Sequence, residues 1–456
     1  MHQQNSVVLG RSAAPDTGMA RCLTTFAISC AFLSYLVAEI RGNTGLLQIG
    51  SYNLSAEDVA VLPLVVALLS RLDVGRFCLP RILLCLALLL ALFNLLIGVS
   101  YNAFAALFEF RSRVVFLLFL GIILSRWGTL RPLEYLTFPL VAGVTAFLIV
   151  YGVRLIGGPL VFVDPNSSGA IYVDYLEGRL INAETVIFLG AAAAFFLSEG
   201  ARNGIHGFRR LAYWALATMC VFVVLLSRQR TASAAVGVGL CALFLLHPTL
   251  FGIKRTPRLL GLILLGVLFI AAVATSDVLG ILPQDYQESM LKRDTLYARL
   301  EIWTNSLAAY SGWDFWRQAL GRPAGEPLIL HLDGGDWEHS VHSAYLSLLL
   351  NYGIIGILLW AALLLAALIA AFRRSQALQT SDIEPSVAVS WLIILLIYGF
   401  SYEWRNAAGV LLGMAMMPLI RRRNAYAGGS EKAFILKQAD DLSARTGSPR
   451  GRKTVL

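Results

Sequence analysis

WEHSVHSAYLSLLLNYGIIGILLW, residues 337–360, begins in a polar, acidic segment and enters a long apolar run at Ala344. His342 sits at the mouth of that run. An imidazole where water meets hydrocarbon can still change protonation. Gly353 and Gly356 follow about three turns deeper, three residues apart on one helical face. Small residues at that spacing let another helix approach closely. The stretch therefore reads either as a polar helix start with a packing face behind it, or as the entrance to a site.

The rest of the chain weights that choice. Of its 456 residues, 57% are hydrophobic and 14% charged, against about 25% charged in soluble domains. Apolar runs of 15 to 25 residues recur throughout, each long enough to cross a hydrocarbon core of ~30 Å. The composition predicts an all-α, polytopic membrane protein built as one bundle. Its net charge of +9 then reflects Lys and Arg held on the cytoplasmic face rather than nucleic-acid binding. Of the six cysteines, Cys22, Cys30, Cys85, Cys220 and Cys241 fall in apolar runs and Cys78 in a short basic loop. That placement predicts neither disulfides nor a thiolate metal site. Residues 1–19 are polar and the first apolar run has no small-residue cleavage site, which predicts an uncleaved anchor.

Twelve spanning helices are expected, at residues 22–40, 59–70, 82–99, 103–124, 136–153, 181–197, 211–226, 232–246, 259–275, 343–371, 387–400 and 407–420. Residues 1–21 form a cytoplasmic N-terminus, residues 22–420 the bundle, and residues 421–456 a basic, mostly disordered cytoplasmic tail. With the N-terminus inside, the cytoplasmic segments hold 24 of the 37 Lys and Arg and the outer ones 11. This asymmetry supports both ends inside a bacterial inner membrane and a long periplasmic loop at 277–341.

Four groups of residues carry chemistry in this frame. Glu109, Arg111 and Arg113 lie in an apolar run, where charges are paired or face a cavity. Glu109 and Arg113 stand i,i+4 and can pair. Arg111 points elsewhere and needs its own partner, which leaves a structural ion pair and a substrate-contacting charge equally open. Arg228 and Arg230 sit in the tight turn LLSRQRTASAAVGVG on the outer face, against the positive-inside trend. They can snorkel to headgroups or bind an anion bidentately, phosphate above all. In the long loop, Arg299 and Trp303 project from one side of a helix i,i+4. Trp313, Phe315 and Trp316 there read first as a seat on the membrane surface, with sugar stacking as the other reading. His331, His339 and His342 cluster at the loop's end, without the spacing of a zinc site. One His beside several Arg at the outer face of a lipid-embedded bundle suggests a chemistry: the arginines neutralise a diphosphate leaving group carried by a lipid, and the His takes the proton of an attacking hydroxyl.

Three pieces of the chain resemble the superfamily of O-antigen ligases and O-antigen polymerases, bacterial inner-membrane glycosyltransferases. His342–Ser343, nine residues, Gly353, two residues and Gly356 match its His-(Asn/Ser)-x9-Gly-x2-Gly pattern. The QRTA turn at 229–232 resembles a Ser-Arg-Gly-Ala turn, aligning Arg230 and departing at Gln229 and Thr231. RLEIW at 299–303 resembles an Arg-x-x-x-Trp element of the family's outer loop. The resemblance implies a GT-C-like fold and a metal-independent, inverting enzyme without a cofactor. Its donor would be a glycan on undecaprenyl diphosphate, and its acceptor another glycan or lipid A core, with polymerase slightly favoured over ligase. His342 would be the base; Arg230 and Arg299, with Arg228, would hold the diphosphate; His339, Trp303 and Arg111 would support them. A transporter or flippase fits twelve helices, but the two halves show no obvious repeat. A peptidoglycan polymerase would use an Asp base, for which Asp333 and Asp336 are the candidates.

Overall fold

The computed structural model describes residues 18–41, 45–49, 52–55, 79–126, 132–157, 181–202, 205–227, 229–247, 294–332, 335–338, 341–377, 384–404 and 406–416, with a few single positions between 58 and 66. Among these are eleven helices and two short hairpins. The helices are α1 Gly18–Arg41, α2 Leu79–Arg126, α3 Pro132–Gly157, α4 Ala183–Gly200, α5 Gly207–Leu226, α6 Arg230–Leu246, α7 Asp294–Ser311, α8 Phe315–Leu320, α9 Ala344–Ala377, α10 Glu384–Tyr398 and α11 Asn406–Met416. Strands β1 Gly45–Ile49 and β2 Tyr52–Ser55 pair antiparallel, as do β3 Ile329–Leu332 and β4 Gly335–Glu338.

Five helices are long and apolar enough to cross a membrane: Leu79–Arg111, Leu136–Ile156, Ala183–Gly200, Gly207–Leu226 and Ala344–Arg373. Thr25–Val37, Thr231–Leu246 and Pro385–Tyr398 are shorter apolar helices. The chain is thus a polytopic helical membrane protein, and the expected apolar segments recur within a few residues of their predicted edges. The spans expected at 59–70 and 259–275 fall on residues outside the described set, apart from isolated helical positions in the first. The hairpins were not legible as strands, because each is only four or five residues long.

α4 is the centre of the bundle. Sixteen of its eighteen residues are buried, which its run of small residues, GAAAA at 190–194, makes feasible. A Cβ on Gly190 would meet Val236 of α6 at 2.2 Å. Trp391 of α10 donates its indole N–H to the Ala191 carbonyl at 2.8 Å. α10 and α6 are equally close, since a Cβ on Gly239 would lie 2.9 Å from the Ser390 carbonyl oxygen. By contrast α2 and α5 expose rows of large apolar side chains such as Leu89, Leu96, Met219 and Phe222, the faces a lipid environment solvates. The ends of α1, α3 and α4 are tied by Glu39, which pairs with Arg154 and accepts from Thr185 Oγ1 at 2.6 Å and from the Asn182 N–H at 3.0 Å.

Two helices break inside the bundle. α2 is interrupted at Asn102 (φ −151°, ψ 96°), which divides it into limbs matching the third and fourth expected spans. α9 is interrupted at Gly353 (φ 64°, ψ −167°). Gly353 and Gly356 therefore do not form one continuous small-residue face for a spanning helix. The left-handed φ is open to glycine and strained for other residues, and the close neighbour of Gly353 is the short α8. A Cβ there would stand 2.3 Å from the carbonyl carbon and oxygen of Ala319. Gly356 would place a Cβ 2.1 Å from the Cβ of Tyr352 and 3.5 Å from Leu90. Gly353→Ala is expected to cost roughly 1–3 kcal/mol from backbone strain alone, with the α8 clash added. Thermal unfolding of the detergent-purified chain should show Gly353→Ala well below Gly237→Ala, since a Cβ on Gly237 meets nothing within 4 Å.

Candidate functional site

The broken helices make a socket for the segment 321–326, GRPAGE. Leu95 and Ala106, one from each limb of α2, close on Ala324. A Cβ on Gly98 would lie 2.1 Å from the Ala324 oxygen, and one on Gly325 2.3 Å from the Ala106 nitrogen. The break at Gly353 leaves carbonyls in the preceding turn to be met from outside the helix. Leu350 O accepts the Arg322 N–H at 2.8 Å, and Asn351 O accepts Asn94 Nδ2 at 2.7 Å. Asn94 also donates to Leu320 O at 3.1 Å and accepts the Ala324 N–H at 3.1 Å.

Charge locks this socket. Glu109 pairs with Arg113, as the i,i+4 spacing predicts. Its carboxylate also takes Arg322 Nη2 at 2.8 Å and the Gly325 N–H at 2.5 Å. Arg322 further donates Nε to Asn351 Oδ1 at 3.0 Å and Nη1 to the Glu326 carbonyl. Burial pulls the Arg322 pKa below its ordinary value, and the Glu109 charge opposes that pull. Arg111 points elsewhere, as expected, and pairs through Nε with Asp58 Oδ1 at 3.2 Å. These charges hold the segment 321–326 to the bundle. Arg322, Asn94 and Asn351 escaped the sequence reading because nothing in a Gly/Pro-broken loop says which helix it enters. Removing Glu109 would leave the buried Arg113 guanidinium without its carboxylate and take one of several partners from Arg322, a loss of about 1–3 kcal/mol. Glu109→Gln should therefore expose the peptide bonds of 312–328 to limited proteolysis at temperatures where the parent chain resists.

A second convergence lies where α10 ends. Ala344, at the start of α9, donates its N–H to Gly399 O at 2.8 Å and to Tyr402 O at 3.0 Å. Ser343, buried, caps α9: its Oγ accepts the Leu346 N–H at 3.5 Å and donates to Gly399 O at 3.4 Å. His342 is half-buried and has φ +49°, the one non-glycine residue with positive φ among those described. Such a conformation persists when the surroundings over-determine it. The Ser343 cap fixes one side. On the other, Trp303 donates its indole N–H to the Val341 carbonyl at 3.1 Å. One turn before Trp303 on α7, the Arg299 guanidinium lies over the Tyr402 ring, 4.9 Å from its centroid. The Tyr402 hydroxyl donates to Gln229 Oε1 at 3.3 Å, and Gln229 Nε2 donates to Ile181 O at 3.1 Å. Gln229 is buried and immediately precedes Arg230, the first residue of α6.

Of the sequence candidates, the structure thus brings together His342, Trp303, Arg299 and the backbone of Arg230. The Arg230 side chain, Arg228 and His339 lie outside the described residues. Arg111 is not near this convergence by any described contact, and Gly353 serves the socket. Among the loop aromatics, Trp313 packs on Tyr310 with centroids 5.5 Å apart, which seats it in the outer segment rather than on lipid. Phe315 and Trp316 are exposed, as a membrane seat requires. Tyr402 and Gln229 are the residues the sequence reading missed. A tyrosine beside a helix end looks like an interfacial anchor, and Gln229 appeared only as a departure from a pattern.

The fold is that of a polytopic helical membrane protein in which α7, the start of α6 and the start of α9 converge on the turn 399–402. Residues 214–361 match the family model described as O-antigen ligase. The match runs from within α5 through α6, α7, α8 and the first half of α9, and it contains all three sequence motifs. A search of the curated proteins finds no match. Because Trp303 grips the residue before His342, Trp303→Phe should lose one hydrogen bond worth about 0.5–1.5 kcal/mol. Amide exchange over 341–347 is then expected to quicken by roughly three- to tenfold, with exchange in α4 unchanged.

Proposed function

We propose that the chain is an inverting membrane glycosyltransferase that moves a glycan from undecaprenyl diphosphate to an acceptor sugar during surface-polysaccharide assembly. The observation that carries this reading is the meeting of the three motifs at the turn 399–402. That turn joins the backbone beside His342 to the ring under Arg299 and to the residue before Arg230. The match to the O-antigen ligase domain supports a lipid-linked glycan substrate.

In this mechanism Arg230 and Arg299, with Arg228 nearby in sequence, bind the diphosphate and stabilise the charge that grows on it as it leaves. His342 accepts the proton of the acceptor hydroxyl as its oxygen attacks the anomeric carbon from the opposite face. The new glycosidic C–O bond forms while the C–O bond to the diphosphate breaks, which inverts the anomeric centre and releases undecaprenyl diphosphate. No metal or cofactor is assigned a step. The site would face the periplasm, with both termini cytoplasmic. The acceptor we favour is another lipid-linked glycan, making the enzyme a polymerase; the match to an O-antigen ligase family favours lipid A core instead.

Cells lacking this gene, complemented with membrane-matched variants, test both levels. His342→Ala, and His342→Asn, which tolerates the left-handed backbone, should each lower long glycan by at least about a hundredfold while lipid-linked repeats accumulate. Arg230→Ala and Arg299→Ala should lower it by about tenfold or more. Loss of long chains from every pool identifies a polymerase. Long chains left on the carrier and missing from lipid A identify a ligase. Normal glycan in all four variants overturns the assignment.

A further inference from the structure

We propose that Tyr402 is the positioning residue that sets Arg299 and the Gln229–Arg230 turn against one another to receive the lipid diphosphate. This rests on the glycosyl-transfer reading above and extends it to a residue outside the matched domain, which ends at 361. Tyr402 uses three groups at once. Its ring lies under the Arg299 guanidinium at 4.9 Å. Its hydroxyl reaches Gln229 at 3.3 Å. Its carbonyl takes the Ala344 N–H, two residues beyond His342, at 3.0 Å. The ring is itself held by Tyr398, stacked at 4.7 Å with an interplanar angle of 11° and almost wholly buried.

The choice of a ring rather than a carboxylate decides what Arg299 can do. At the socket, the Arg322 and Arg113 charges are committed to Glu109. Among the described residues Arg299 has an aromatic face instead of an acidic partner. The negative face of a phenol orients a guanidinium, yet it does not cancel the positive charge. Arg299 is thereby held in place with its full charge available to an anion. The Gln229 link carries the same restraint to the start of α6, so Arg299 and the backbone entering α6 are registered through one side chain.

The test titrates the full-length chain in lipid nanodiscs with undecaprenyl diphosphate, the leaving group of the proposed reaction. Parent protein is compared with Tyr402→Phe, with fluorinated phenylalanines at 402, and with Tyr402→Leu, Arg299→Ala and Arg230→Ala. Fluorination preserves shape while draining negative charge from the ring face. Expected are affinity within about threefold of the parent for Tyr402→Phe, a stepwise fall with each fluorine, and about tenfold loss for Tyr402→Leu. Adding Tyr402→Leu to Arg299→Ala should weaken binding less than the two single losses multiplied. Equal affinity across the fluorinated series overturns the proposal, even where Tyr402→Leu fails to fold. Weakened binding in both arginine variants with parent-like binding in Tyr402→Leu overturns the role of Tyr402 alone. If neither arginine variant weakens binding, the diphosphate reading falls and the role of Tyr402 falls with it.

Discussion

A helix that breaks inside an apolar bundle must have its freed backbone groups met by partners from elsewhere, because lipid supplies none. That constraint organises the part of this protein around α8 and the segment 321–326. The breaks at Asn102 and Gly353 create carbonyls and room. The segment 321–326 brings amides, small residues and one arginine that fill both. Glu109 completes the exchange by accepting from Arg113, Arg322 and the Gly325 N–H. Without the breaks there would be no socket for the segment that follows α7 and α8.

α7 carries Arg299 and Trp303 to the second convergence. Both helices are anchored at α9, α8 against Gly353 within it and α7 through the Trp303 bond to Val341 just before it. The two sites therefore divide the labour. One is charged and closed, and gives the segment 321–326 its position. The other is built on a helix cap, an indole and a phenol, and among the described residues Arg299 meets a ring there and no carboxylate. The left-handed backbone at His342 sits between a capped helix start and a gripped carbonyl, so the strain there is held from both sides.

Much of this was legible in the sequence. Apolar run length located the helices because a hydrocarbon core sets one length scale for all of them. The i,i+4 spacing gave the Glu109–Arg113 pair and the separate direction of Arg111, since those are properties of a single helix. The three motifs were recognisable by their residues. Partners distant in sequence were not legible: Arg322 for Glu109, Asp58 for Arg111, Tyr402 for Arg299. Nothing in a local pattern encodes which loop meets which helix. Gly353 shows the same limit in reverse. Its identity signalled a close approach, and only the backbone showed that it breaks α9 and receives α8 instead of lining a helix–helix seam.

The matched domain ends at residue 361, but the site does not. The Ala344 amide is satisfied by carbonyls at 399 and 402, and the ring beneath Arg299 belongs to 402. α10 is placed to supply them because it packs through Trp391 on α4 and through Ser390 and Ile394 on α6. The buried core thus determines where the 399–402 turn stands, and that turn determines where the motif residues meet. A segment limited to the motifs would carry the candidate chemical groups without the means to register them. Helix packing in the bundle and preorganisation at its mouth are two stages of one structural requirement.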